Sequence, residues 1–368
     1  MRNTALEQKL SDVGRTFRLD GKPYSFSVLT DGNVNSTYKL NYRQPDGCIK
    51  AYVAQRINPY VFRQPAKIMQ NIDLVTTHIR ERAGKDRTVL HFHHTAEGLN
   101  YFIDGEDGAV WRLYTFIPAV SYNVCDSLEV LENAGEAFGE FQMQLSDFNA
   151  ELLYETIPDF HNTKKRLETF FAHVEEDPCG RAAEVAEEIA AIRRAAPMAC
   201  RLTEALEAGE IPLRVTHNDT KINNVLFDAK TKKPLVVIDL DTVMPGLAMH
   251  DFGDAVRFAA STAAEDEVDL SCVSLDLDKY RAFAKGFIRY TKNALTEREI
   301  DTMALGAVTI TLELASRFLD DYLLGDKYFK IHYEGHNLVR TRCQLRLLED
   351  MLAKYDDMCA IIKELVKE

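Results

Sequence analysis

An α+β chain in two parts, a small antiparallel sheet followed by a larger and mainly helical remainder, is what three features of these 368 residues predict. Residues 24–117 hold short apolar runs separated by Gly/Asp turns. From Ser127 onward apolar residues recur at helical spacing instead. Among those helical stretches lies one β-rich interlude, residues 213–242, with a polar loop and a β-branched run that ends on a carboxylate. The length suits two lobes, divided as 1–117 and 118–368.

Composition narrows the class. A net charge of −13 argues against nucleic acid or an anionic membrane surface as the main partner. It leaves room for a phosphate site, which needs only a few local cations. Nothing after Met1 has the apolar core of a secretory signal, and no run approaches a membrane span. The seven cysteines are scattered, odd in number and without a C-x-x-C pair, so they read as reduced thiols of a cytoplasmic protein. A small-molecule substrate is the expected partner, with the chain a monomer or homodimer.

Residues 1–20 read as a helical arm. Residues 24–29 alternate as a strand, 30–37 form a turn of small polar residues, and 38–42 return as a second strand. Gly32, Asn33, Asn35, Ser36 and Thr37 are small enough for backbone N–H groups to approach phosphates. An ordinary hairpin turn has the same composition, and no G-x-G-x-x-G is present. Residues 48–57 make a third strand with Lys50 and Arg56 as cations for nucleotide phosphates, and Arg56, late in the strand, is favoured. A helix over 65–82 has Ile68, Ile72, Val75 and Ile79 on one stripe. Its acids Asp73 and Glu81 are the options for pairing with the strand cation. Residues 88–95, 99–103 and 109–117 complete the sheet. Thr115, Phe116 and Ile117, just before Pro118, mark the adenine-binding crossing between lobes. His91 and His93 share a strand face but have no Cys or carboxylate at ligand spacing, which speaks against a metal there.

Helices then follow over 128–148, 164–171 and 180–207, with Gly209 as the stop. Further helices are expected over 279–292 and 298–324, and from Gly335 to the end. Glu313 and Arg317 stand at i, i+4 on one of them, which taken alone is the usual surface ion pair.

The interlude carries the chemistry. His217-x-Asp219-x-Lys221-x-x-Asn224 lies between two apolar runs and follows the H-R-D-x-x-x-x-N spacing of a kinase catalytic loop. The run Leu235-Val236-Val237-Ile238 then delivers Asp239. In phosphoryl transfer one carboxylate deprotonates the acceptor hydroxyl, while an amide oxygen and a second carboxylate hold Mg²⁺ on ATP. Asp219 takes the first role, with Lys221 placed to neutralise the moving phosphoryl group. Asn224 and Asp239 take the second. Asp251-Phe252-Gly253 imitates the kinase D-F-G triplet, but a Pro-Gly loop precedes it where a strand is needed, so Asp251 is read as a loop anchor or helix cap. The fold expected is therefore a protein-kinase-like two-lobed one, with a small antiparallel-β N-lobe and a larger helical C-lobe.

Nearly the whole chain resembles the aminoglycoside phosphotransferase and choline kinase superfamily, and within it the bacterial N-acetylhexosamine 1-kinases. The segments that carry the resemblance include Gly32-Asn-Val-Asn-Ser-Thr-Tyr38, Trp111-Arg-Leu-Tyr-Thr-Phe116 and His217-Asn-Asp-Thr-Lys-Ile-Asn-Asn224. They continue through Ile238-Asp-Leu-Asp-Thr-Val-Met-Pro-Gly246, Asp251-Phe-Gly-Asp-Ala-Val-Arg-Phe258 and the stretch from Arg317 to Phe329. The resemblance implies ATP and Mg²⁺, Asp219 as base for a sugar's anomeric hydroxyl, and Asp219, Asn224, Phe258, Arg317 and Tyr328 around that sugar. It promotes Arg317 from surface pair to substrate ligand. Relatives often have Gly-His-Ile-Asn where this chain has Gly32-Asn33-Val34-Asn35, so Asn33 bears on the choice between hexosamines. Kinases of choline, homoserine or aminoglycosides, and a nucleotide-binding regulator with a kinase fold, are the alternatives.

Overall fold

The computed structural model describes residues 4–29, 34–84, 88–124 and 126–368. They fall into two compact units. The first runs from Met1 to Ala119 and takes back a short later segment, Ile238–Val243, which a single cut at residue 117 does not anticipate. The second holds Val120–Val237 and Met244–Glu368.

In the first unit, helix α1 (Thr4–Thr16) precedes strands β1 (Lys22–Leu29), β2 (Ser36–Arg43) and β3 (Ile49–Arg56). Helix α2 (Pro65–Arg82) and strands β4 (Tyr101–Ile103) and β5 (Val110–Thr115) follow. The five strands form one antiparallel sheet in the order β1-β2-β3-β5-β4. Strand alternation sorts the side chains onto two faces. Leu40, Tyr42, Tyr52, Ala54, Trp111 and Leu113 pack under Leu10, Val13 and Phe17 of α1. Thr37, Gln55 and Arg112, in register with one another, line the opposite face, and Arg112 there meets Met69 of α2. The strand expected over 88–95 does not form. Since β4 already covers β5 at residues 110–112, only one bridge, Phe92 to Tyr114, finds an edge to join.

The second unit begins with α3 (Leu128–Gln144), α4 (Thr163–Glu176), α5 (Ala186–Ala199) and α6 (Arg201–Glu207). Pro197 lies inside α5 and removes a backbone donor, and the helix expected over 180–207 divides soon after, at Cys200. Strands β6 (Arg214–Thr216), β7 (Val225–Phe227), β8 (Pro234–Val237) and β9 (Met244–Gly246) pair as β6 with β9 and β7 with β8. Helices α7 (Ala248–Ala259), α8 (Leu277–Thr291), α9 (Glu297–Asp301), α10 (Met303–Leu323), α11 (His336–Ala353) and α12 (Tyr355–Lys367) complete it. Helix α10 is buried almost all round and serves as the core of the unit. It crosses α7 at Gly306 and Gly253, where a Cβ on either would strike the other helix's backbone. That close crossing seats α7 beneath the loop 217–224.

Candidate active site

Strand β6 ends at Thr216 and the chain turns at once into the loop 217–224. The turn requires Asn218 in the left-handed region, at φ 63°. Asp251, buried in the first turn of α7, fastens it. Its carboxylate accepts the backbone N–H of His217 at 2.8 Å and of Asn218 at 2.7 Å, with Gln142 donating a third bond at 2.6 Å. Burial pushes the Asp251 carboxyl upward, and these donors oppose that. One turn along α7, Asp254 accepts the Thr220 N–H at 2.9 Å. His217 is fully buried against the edges of Phe138 and Phe141, so it is a structural residue of the loop. Asp251 thus anchors the loop from behind, the role its sequence position suggested.

Asp219 remains partly open to solvent. Lys221 Nζ lies 2.8 Å from its Oδ1, and Asn224 Nδ2 donates to Oδ2 at 3.2 Å. Desolvation acts to raise the Asp219 carboxyl, but Lys221 foremost, with His217 and Asn224, carries it below the ordinary carboxylate range. Asp219 is therefore ionised and able to accept a proton. The attraction is mutual and raises Lys221. The Asn224 amide also donates to the backbone O of Asp219 at 2.8 Å, which turns its NH₂ inward and its carbonyl oxygen the other way.

Beyond β8, Asp239 is exposed and also left-handed, at φ 61° and ψ 56°. The segment it opens is held by the first unit. Arg112 grips Asp241 through both terminal nitrogens, with Nη2 to Oδ2 at 3.0 Å. Asn35 Nδ2 donates to the same Oδ2 at 2.7 Å, and Asn71 Nδ2 donates to Val243 O at 3.0 Å. Desolvation opposes the Arg112 charge, yet Asp241 raises the guanidinium's affinity for its proton above normal. An amide oxygen at Asn224 and a carboxylate at Asp239 are hard oxygen donors of the kind Mg²⁺ takes together with phosphate oxygens and water. Among the described residues no His, Cys, Asp and Glu cluster of three or more forms a separate metal site. Asn224 belongs to the second unit and Asp239 to the first, and each offers an oxygen donor of the type that Mg²⁺ would take.

The nucleotide residues read from sequence fare unevenly. Gly32 and Asn33 lie outside the described residues. Ser36 opens β2 and is exposed, while Thr37 accepts a bond from Gln55 Nε2 at 3.1 Å. Asn35 faces Asp241, and its Oδ1 accepts the Asn58 N–H at 2.9 Å. Arg56 needs correcting. It shares the α1 side of the sheet with Tyr52 and Ala54, half exposed, and pairs with Asp107 at 3.1 Å. The face holding Arg112 and Asp241 has Gln55 instead, and on β2 it carries Arg43, which lies over the Tyr24 ring, and Lys39, in register with Val53. Its Nζ sits 3.7 Å over the Phe116 ring. Neither helix acid pairs with a strand cation, and Asp73 meets His94 at 3.3 Å. The N–H groups of Thr115 and Phe116 donate to His91 O and Ala51 O, and Ile117 follows them half buried. His93 bonds the Thr115 hydroxyl at 3.0 Å, and burial holds it neutral with its pKa lowered to about 4.

On α10 the surface pair of Glu313 and Arg317 does not form. Glu313 is buried and binds His161 Nδ1 at 2.8 Å and the Thr163 hydroxyl. Arg317 is stacked among Phe160, Tyr328 and Phe329, its guanidinium 5.3–5.8 Å from each ring centroid. Desolvation lowers its proton affinity, helped by the nearby Arg166, and the Tyr328 hydroxyl partly compensates. Both arginines line a cavity of about 220 Å³ with Pro158, Asp159, Lys165 and Asp320. Lys165 pairs with Asp159 at 2.5 Å, and Asp320 bonds His173 Nδ1 at 2.7 Å. His161 packs 5.1 Å from the ring of His250, the residue preceding Asp251. Neighbouring positions on α7 therefore support the catalytic loop and the Arg317 cluster. Phe258 lies further along α7, half buried.

Arg112, Asp241, Gln55 and Lys39 had not been singled out as site residues. The period-two register of β2, β3 and β5 could have found Gln55 and Lys39. No local pattern links Arg112 with a residue 129 positions away.

Several solved structures share this fold. An aminopropanol kinase associated with a microcompartment matches with TM-score 0.62 at 15% identity, covering 96% of this chain and 98% of its own. Amicoumacin kinase, solved with AMP-PNP, Ca²⁺ and its antibiotic, matches with TM-score 0.60 at 12% identity, covering 94% and 93%. Spectinomycin phosphotransferase with ADP and spectinomycin gives 0.56 at 12%, covering 93% and 98%. Residues 25–284, most of the chain, match the model of the APH phosphotransferase enzyme family, and the chain belongs to that family.

Proposed function

We propose that the chain transfers the γ-phosphoryl group of ATP to the anomeric hydroxyl of an N-acetylhexosamine, giving the 1-phosphate and ADP. The hydroxyl proton passes to Asp219, the anomeric oxygen bonds to phosphorus, and the bond from phosphorus to the departing ADP oxygen breaks. Lys221, beside Asp219, balances charge as the phosphoryl group arrives. Asn224 and Asp239 would hold Mg²⁺, which supplies neutralisation of the phosphate charge.

One observation carries the choice of acceptor: Arg317, stacked among three rings, lines a cavity of about 220 Å³ together with Arg166, which donates to Phe160 O at 2.5 Å. The desolvated guanidinium of Arg317, with Arg166 beside it, disfavours an acceptor that is itself cationic, which argues against choline, ethanolamine, aminopropanol and aminoglycosides. The cavity suits a neutral acceptor rich in hydroxyl and carbonyl oxygens, to which guanidinium donates well. The volume lies below the roughly 300–1,000 Å³ of drug-sized sites and matches a single sugar ring better than a multi-ring antibiotic. The rings of Phe160 and Tyr328, which flank Arg317, offer apolar faces to a sugar beside the cavity. Initial rates across GlcNAc, GalNAc, galactose, choline and an aminoglycoside test the reading. Preference for the two N-acetylhexosamines supports it, and preference for a cationic acceptor would defeat it.

A further inference from the structure

We propose that Arg112 and Asp241 form the positioning pair of this kinase, joining the front loop to the segment that presents Asp239. The inference rests on ATP-dependent phosphoryl transfer and is independent of which acceptor is used.

In protein kinases a lysine on the third strand and a glutamate on the following helix form the pair that aligns the nucleotide phosphates. This chain keeps neither member in place. The third-strand residue on the relevant face is the neutral Gln55, Arg56 points to the other side, and α2 contributes the amide of Asn71 to Val243 O. The charges have moved instead to β5 and to the metal-bearing segment itself. Arg112 is 2% exposed and Asp241 3%, so the pair is wholly removed from water.

Buried ion pairs are weak devices for stability, because desolvation offsets much of their attraction. They are strong devices for fixing one geometry when every remaining hydrogen-bonding group is satisfied. Here a continuous chain of bonds does this. Arg112 Nε donates to Gln55 Oε1 at 2.9 Å, and Gln55 Nε2 donates to the Thr37 hydroxyl at 3.1 Å. At the other end Asp241 accepts from Asn35, whose carbonyl oxygen accepts the Asn58 N–H. The loop at Asn35 and Thr37 and the turn at 240–242 therefore share one polar network. Asp239, two residues before Asp241, holds a left-handed conformation that a non-glycine residue keeps only when its surroundings over-determine it. The bidentate fork of Arg112 provides that determination, and lysine cannot reproduce it. Nucleotide bound beside Asn35 and Thr37 and metal bound at Asp239 would be coupled through this network.

The test uses the full-length protein and the variants Asp241→Asn, Arg112→Lys and Asn35→Ala. Calorimetric binding of a non-hydrolysable ATP analogue is measured with and without Mg²⁺, alongside thermal melts and the Mg²⁺ dependence of turnover. No acceptor is present in the binding arm, so a wrong assignment of the sugar leaves it intact. We expect all three variants to weaken analogue binding about tenfold with Mg²⁺ and at most about twofold without it. Asn35→Ala, at the half-buried end of the network, should do so with its melting point nearly unchanged. Two results overturn the proposal. One is a loss of melting temperature with the Mg²⁺ dependence of binding preserved, which assigns the pair to stability alone. The other is a Mg²⁺ effect confined to Asp241→Asn, which makes Asp241 a metal ligand and not a positioning group.

Discussion

Asn218 donates its backbone N–H to Asp251 Oδ1 at 2.7 Å while its own φ stands at 63°, so a buried carboxylate on α7 holds the catalytic loop in a strained turn. Asp239, by contrast, is exposed at the end of β8. The two aspartates should separate cleanly. Asp251→Asn puts an NH₂ donor in place of one of the two oxygens that together accept three buried bonds, and should cost about 1–3 kcal/mol of stability with the Mg²⁺ requirement unchanged. Asp239→Asn should raise the Mg²⁺ concentration for half-maximal activity about tenfold or more at an unchanged melting point. Mg²⁺ titrations beside thermal melts check both, and an exchange of the two phenotypes would refute the metal assignment.

The sheet register makes a second pair of variants informative. Lys39 occupies the face of Gln55 and Arg112, whereas Arg56 lies on the α1 side beside Asp107. If Lys39 meets a phosphate, Lys39→Met loses a charge-assisted bond worth roughly 1.5 kcal/mol or more and raises the ATP KM about tenfold. Arg56→Met loses an exposed pair worth about 0.2–1 kcal/mol and should hold the ATP KM within about twofold. Steady-state kinetics with ATP varied would give the reverse order if Arg56 were the phosphate cation.

Arg317 is the residue whose environment departs most from its local sequence. Its stacking among three rings, without Glu313 as partner, predicts that Arg317→Ala lowers kcat/KM for the hexosamine by about ten- to a hundredfold. The ATP KM should hardly change. Varying sugar and ATP separately tests this, and an unchanged sugar kcat/KM would return Arg317 to a packing role.

His250 supplies a pH test of the buried cluster. Desolvation first, and then the charge of His161, lowers its pKa to about 3, so the native state keeps it neutral where the unfolded chain, near 6.5, takes up a proton. Its contribution to stability is therefore complete above pH 6.5 and declines as pH falls through the range from 6.5 toward 3. By pH 5 the loss reaches about 2 kcal/mol. His250→Leu should flatten that part of the stability profile, measured by denaturant unfolding at several pH values. A profile as steep as the parent's would show that another group is responsible.

Much of this was legible in the chain itself. Period-two alternation marked β1, β2, β3 and β5, and helical spacing marked α2, α3 and α8. The residues from His217 to Asn224 declared the loop chemistry, because its spacing is local. What escaped detection depends on partners far apart. An i, i+4 pair at Glu313 and Arg317 is sterically open, yet His161, 152 residues distant, and Thr163 take the carboxylate and free the guanidinium. Arg56 looked right because a cation late in the third strand is expected, but alternation turns it toward α1 and gives the site face to Gln55. The segment 88–95 has strand composition and still lacks an edge to pair with.

The central claim is transfer to an anomeric hydroxyl with Asp219 as base, and ³¹P NMR of the product formed from GlcNAc and ATP tests it most directly. The account predicts a sugar 1-phosphate, with the resonance coupled to the anomeric proton, and a rate about 10²- to 10⁴-fold lower for Asp219→Asn with analogue binding retained. A 6-phosphate product, or a 1-phosphate made by Asp219→Asn at near-normal rate, would contradict it.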